Sequence, residues 1–184
     1  MTIVSVIGKS TDKALEEIIL SQLIKTYQVT YIKNKSLVQA GSGYEIIVCD
    51  TPELKSLYIN ECIIVLKNGG LVPEIPLPEK SIIIASSENL EQLKALKNTN
   101  LNVITCGVNE KDTLSCSSIT TDSVVISLNR QITAFSGRKI QPLEIPLRLE
   151  GMPPKTFNDV YYPIAFTALR LILDDFNSEL GTLI

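Results

Sequence analysis

Not one histidine occurs among the 184 residues. That absence excludes Ser-His-Asp and Cys-His nucleophile activation, imidazole metal sites and imidazole acid–base chemistry. Any catalysis would fall to carboxylates, lysines, a bound metal or backbone dipoles. Paired cysteines are missing too. Cys49, Cys62, Cys106 and Cys116 are widely spaced with no CxxC among them, and three lie in apolar, strand-like runs. They read as buried free thiols of a reducing compartment rather than as zinc ligands. Positive charge is in short supply: the net charge is −3 and the pI near 5.1, which excludes a general nucleic-acid binder. No apolar stretch approaches the roughly 20 residues that span a bilayer. The opening Met1–Gly8 has no basic n-region and reads as a strand, not a signal peptide. The expectation is a cytoplasmic protein with no nucleic-acid or membrane partner, in which Asn34-Lys35-Ser36 is no glycosylation acceptor.

What is present is enough for a core. Hydrophobic residues make up 45% and charged residues 20%, so disorder is excluded over most of the chain. With no repeat, low-complexity tract or linker, residues 1–184 read as one domain. Thr2–Ile7 is a short β-branched run ending at Gly8, the pattern of a buried parallel strand. From Asp12 the period becomes helical, with Leu15, Ile18, Ile19 and Leu23 on one side. Further strands are expected at Val29–Ile32, Tyr44–Cys49, Cys62–Leu66, Ser81–Ala85 and Asn102–Thr105. A helical turn is expected from Pro52 to Leu57, a helix over Asn89–Lys97 with a capped start at Ser86–Asn89, and irregular chain over Leu71–Lys80.

After Gly107 the pattern changes to alternation, in Ser115–Thr120, Val124–Phe135 and Glu144–Leu149, split by turns at Thr121-Asp122 and Ser136-Gly137. A proline-rich loop, Gly151–Lys155, precedes a long helix over Asn158–Asn177, with Phe176 among its inward residues and a fraying tail from Gly181. The fold class is therefore α/β: a mostly parallel, P-loop-like sheet flanked by helices, with an antiparallel β extension in the second half.

The candidate site is the turn Gly8-Lys9-Ser10-Thr11 between the first strand and the first helix. A phosphate loop belongs at such a junction, where backbone N–H groups and the helix dipole favour an anion. Glycine permits close approach, lysine supplies a charge, and a hydroxyl can hold magnesium. The turn is too short, however. The full G-x-x-x-x-G-K-S/T motif needs a glycine five positions before Gly8, and that position is Ile3. Asp12 and Glu16 add negative charge where a triphosphate would lie. A purely structural junction, with Ser10, Thr11 or Asp12 capping the helix, accounts for the same residues. Asp50, at the end of the Tyr44–Asp50 strand, is the candidate magnesium ligand at the same sheet edge, or else the cap of an Asp-Thr-Pro turn.

Taken in order, these segments resemble the central domain of the Mur ligase family, including folylpolyglutamate synthases. Val6–Thr11 stands where that family has its glycine-lysine-threonine phosphate loop, and Tyr44–Asp50 matches its strand and magnesium-holding acid. Asn68-Gly69-Gly70, Ile82–Asn89 and Asn102–Gly107 follow the family's later turn and strands, and Ser115–Leu149 and the helix from Phe157-Asn158 complete the domain. The departures are the shortened loop, Phe157-Asn158 in place of His-Asn, and the missing substrate and C-terminal domains. The resemblance implies a reduced, non-catalytic or weakly nucleotide-binding relative acting as a binding or regulatory module. It would take ATP and magnesium weakly, or another anion, at Gly8–Thr11 and Asp50, together with a protein partner the sequence does not name. The alternatives are a deviant ATPase resembling the ParA/MinD group and an interaction scaffold that binds no nucleotide.

Overall fold

The first strand, β1 (Thr2–Ile7), forms because TIVSVI is β-branched and apolar, and its last four residues are buried. A turn leads to α1 (Ala14–Gln22), followed by β2 (Gln28–Lys33), β3 (Ser36–Ala40), β4 (Glu45–Thr51), β5 (Ile63–Leu66), β6 (Ile82–Ser86) and α2 (Leu90–Leu96). The second half holds β7 (Asn102–Gly107), β8 (Leu114–Ile119), β9 (Ser123–Leu128), β10 (Ile132–Thr133), β11 (Lys139–Ile140), β12 (Leu143–Leu149), α3 (Phe157–Ile172) and β13 (Thr182–Leu183). This computed structural model describes residues 1–120, 123–149, 157–175 and 182–183. The expected turn at Thr121-Asp122, the loop at Gly151–Lys155, Phe176 and Gly181 lie outside them.

The chain divides into two compact units, Met1–Val103 and Ile104–Ile184. In the first, the strands lie side by side in the order β6-β5-β1-β4-β2-β3. All neighbours are parallel except β2 and β3, which form an antiparallel hairpin. Every residue of β5 and β6 is buried, as expected of central strands covered on both faces. The chain leaves β1 towards β2 and β4 on one side and returns to β5 on the other. The C-terminal end of β1 is thus the switch point at which open α/β sheets bind ligands.

Register decides which side chains meet there. Val6 lies beside Asp50 and Val65, and Asp50 beside Lys33. Side chains alternate along a strand, so Tyr31, Lys33, Asp50 and the residue after β5, Lys67, project from one face. The opposite face carries Ile7, Ile64 and Leu66, packed with Leu96 of α2 and with Leu54, Leu57 and Ile59.

In the second unit β8–β9 and β9–β12 are antiparallel, while β7–β8 and β12–β13 pair parallel. The antiparallel extension is present as expected. The α3 helix is buried along nearly all of its described side chains and packs against β8. It contains Pro163, whose carbonyl accepts the Thr167 hydroxyl at 2.8 Å.

Four local expectations are corrected. Pro52–Leu57 is not helical: the Thr51 hydroxyl donates to the Glu53 carbonyl at 2.6 Å, and the segment lays Leu54 and Leu57 on the core. The expected strands did not include β3, which pairs back on β2 through a tight hairpin turn with Asn34 at φ 52°. Val124–Phe135 is not one strand; β9 ends at Leu128, because the Asn129 amide turns to the Asp112 carbonyl and the Ser115 hydroxyl. The last helix stops at Ile172, with Asp174 left-handed at φ 61°.

Candidate functional site

The turn after β1 is built around a lysine that the sequence reading passed over. Lys67 follows β5, its side chain is fully buried, and its ammonium sits 2.9 Å from both Oδ1 and Oδ2 of Asp50. The same nitrogen donates to the Asp12 carbonyl at 2.9 Å and to the Lys9 carbonyl at 3.3 Å. Lys9 and Asp12 also close a turn through their backbones, Asp12 N–H to Lys9 carbonyl at 3.0 Å. The carbonyls of the turn therefore face inward to a cation, the reverse of a nest, which turns N–H groups toward an anion.

Two glycines make room for this arrangement. Gly8 sits at φ +151°, and a Cβ there would lie 2.5 Å from Lys67 Cβ. A Cβ on Gly70 would come within 2.4 Å of the Ile7 carbonyl. Backbone bonds from Lys67 to Ile7 and from Gly8 to Thr51 tie the turn to β5 and β4.

Asp50 is 3% exposed and carries further partners. The Tyr31 hydroxyl donates to its Oδ2 at 2.9 Å, and Lys33 lies 3.5 Å from the same oxygen while pairing with Glu16. Lys67, Asp50, Lys33 and Glu16 thus form a neutral chain of alternating charge. Such compensation is needed where ions are withdrawn from water. Desolvation acts to lower the Lys33 pKa, but the Glu16 hydrogen bond and the Asp50 charge outweigh it and the net direction is up. Burial, then the Asp50 carboxylate, push the Tyr31 phenol far above its ordinary value of 10.0.

That shift has a measurable sign. The folded state keeps the Tyr31 proton, whereas the unfolded chain loses its own at about pH 10. Stability is fully present below pH 10 and falls above it by about 1.4 kcal/mol per pH unit. Lys33, with its raised pKa, acts in the same direction from its ordinary value of 10.5 upward. Thermal unfolding followed from pH 8 to 11 should show the decline, and Tyr31→Phe should make it shallower.

The sequence-predicted residues are distributed unevenly about this centre. Gly8 and Lys9 line an open cleft of about 1030 Å³. Pro52–Lys55 after β4, residues between Gly69 and Leu77 after β5, and Glu91 and Ala95 of α2 also line it. Lys9 is exposed and makes no salt bridge among the described residues. Ser10 and Thr11 do not line the cleft, and α1 starts at Ala14 with Lys13 at its cap position and no side-chain cap bond. Asp50 lies beneath the turn and caps no helix. The expected capped start at Ser86–Asn89 is present: Asn89 accepts from the N–H groups of Glu91 and Gln92.

Elsewhere the chemistry is quiet. Cys62 and Cys106 are buried, and Cys49 and Cys116 half-buried. Desolvation raises the pKa of all four thiols, which keeps them as protonated, unreactive sulfhydryls. Among the described residues no three Cys, Asp or Glu side chains gather as a metal site, and no helix is long and apolar enough to cross a membrane.

No family model and no curated protein matches this chain. Solved structures do. The UDP-N-acetylmuramate:L-alanyl-γ-D-glutamyl-meso-diaminopimelate ligase of Neisseria meningitides matches 97% of the chain at 11% identity and a TM-score of 0.59. A murein peptide ligase from Psychrobacter arcticus matches 93% at 12% identity and 0.57. A UDP-N-acetylmuramoyl-L-alanyl-D-glutamate–2,6-diaminopimelate ligase matches 98% at 11% identity and 0.53. The match covers 63%, 44% and 45% of those three chains, so this chain spans less than two thirds of their length. At such identities the likeness concerns the backbone arrangement, and on that ground the chain has a Mur-ligase-like fold.

Proposed function

We propose that this chain is a non-catalytic relative of the Mur ligase central domain, serving in the cytoplasm as a binding or regulatory module with no ATP-driven ligation of its own. The observation that carries the reading is the buried Lys67 ammonium inside the turn after β1, held by Asp50, Lys9 and Asp12. Magnesium and ATP do not fit there. A magnesium ion on Asp50 would enter space already filled by one cation and lie close to a second, Lys33. The turn also offers carbonyl oxygens, which repel phosphate. The antiparallel β8–β9–β12 ribbon supports the Mur relation over the ParA-type alternative, whose fold continues with parallel βα units.

What remains accessible is the cleft beside the turn, where the exposed Lys9 ammonium can attract a small anion or the phosphates of a nucleotide. Binding there needs no metal. A thermal-shift panel of nucleotides with and without magnesium tests the proposal. A ligand at 100 times its dissociation constant adds about 2.7 kcal/mol, a shift of several degrees. The expected result is a shift that magnesium does not enlarge and that Lys9→Ala removes, with no nucleotide hydrolysis. Magnesium-dependent hydrolysis abolished by Lys9→Ala would overturn the proposal in favour of an ATPase. The absence of any shift would leave the scaffold reading, without nucleotide.

A further inference from the structure

The surroundings of the Lys67 nitrogen have the character of a binding site. Its four oxygen acceptors come from two separate segments: the turn after β1 supplies the Lys9 and Asp12 carbonyls, and β4 supplies both oxygens of Asp50. Three of the four contacts are 2.9 Å and one is 3.3 Å, distances that suit N–H donors. They are too long for the hard divalent cations, which need oxygens at about 2.0–2.1 Å for magnesium and about 2.3–2.6 Å for calcium. The cage carries one formal negative charge, on Asp50, matching one monovalent cation. Its approach is shaped as well: the Lys67 stem runs past Gly8, with its Cγ and Cδ each 3.1 Å from where a Gly8 Cβ would stand.

We propose that the turn after β1 is an ammonium-binding cage specific for a primary alkylammonium ion, a ligand that the native chain supplies from its own Lys67. The proposal rests on the reading that this turn is not a phosphate site. Lys67 is then a tethered ligand, and the cage binds the corresponding free ion once the tether is cut. Lys67→Ala removes Cγ, Cδ, Cε and Nζ, which together are the heavy atoms of n-propylammonium. Nothing covalent is involved.

The test is chemical rescue. Lys67→Ala should lower the melting temperature by roughly 10 °C, and n-propylammonium chloride should recover at least half of that fall by binding only the folded state. Methylammonium should recover less, because it leaves the stem channel empty. Tetramethylammonium chloride at equal ionic strength, which has no N–H donor, and neutral propanol should recover nothing. If Lys67→Ala does not fold unaided, refolding yield from urea in propylammonium against tetramethylammonium reads the same preference. Lys67→Met, which keeps the stem and lacks the charge, should gain nothing from propylammonium because its side chain fills the channel. Equal effects of propylammonium and tetramethylammonium would overturn the proposal, and so would better recovery by magnesium chloride. These outcomes are separable from the nucleotide panel, which uses the native chain and reads the neighbouring cleft.

Discussion

Asp50→Ala is expected to destabilise the fold by about 3–5 kcal/mol, roughly 10 °C in melting temperature for a chain of this size. The loss is large because the substitution leaves a cation behind. Lys67 is fully buried, and without Asp50 it keeps, among the described residues, the two turn carbonyls as hydrogen-bond partners. Lys33, relieved of its second acid, then adds repulsion. Removing the other partner should cost less. In Lys67→Met the Asp50 carboxylate still accepts the Tyr31 hydroxyl and still faces Lys33, so the anion stays compensated. The ordering of the two single variants, with Asp50→Ala the worse, follows from this asymmetry. The double variant should lose less than the sum of the two, since no isolated charge remains. Urea unfolding followed by circular dichroism measures all three; a greater loss for Lys67→Met than for Asp50→Ala would contradict the assignment.

Gly8→Ala should be the second large effect, about 2–4 kcal/mol, from two costs that act together. Its φ of +151° disfavours any L side chain. The added methyl would also press on the Lys67 stem at its Cβ, which cannot swing aside as a side-chain tip could. Gly69→Ala is the control: a Cβ there meets nothing within 4 Å, and the change should stay within about 0.5 kcal/mol. In a working phosphate loop, glycine to alanine is felt through the ligand. Here the cost should be complete in ligand-free protein, so comparing melting temperatures without nucleotide distinguishes the two roles.

The central strands were easy to read because runs such as Ile63–Leu66 and Ile82–Ala85 are apolar at every position, the pattern that burial on both faces imposes. The antiparallel half was legible from its alternation, except that Val124–Phe135 is broken after Leu128. The β3 strand was not, because all but its last residue are exposed. As an edge strand it owes its conformation to hydrogen bonds with β2, not to a buried face. The Pro52–Leu57 segment misled because proline suits a helical first turn, whereas packing of Leu54 and Leu57 on the core decided its course. The site was half legible. Gly8–Thr11 and Asp50 stood out by residue type, but Lys67 carried no local signal. A lysine closing an apolar run reads as the strand's exposed end, and its partners lie 17 and 55 residues earlier. Only the register of β1 between β4 and β5 brings them together.

That separation has a consequence for how the turn comes to exist. A phosphate loop is largely a local object, formed by neighbouring residues wrapping their own backbone. The turn after β1 instead takes its shape from a residue delivered by β5, so it is ordered only after α1, the β2–β3 hairpin and β4 have been traversed and β5 has docked. Loop-closure entropy delays such distant contacts relative to local ones. Gly8–Asp12 is therefore among the last parts of its unit to settle, although it follows the unit's first strand.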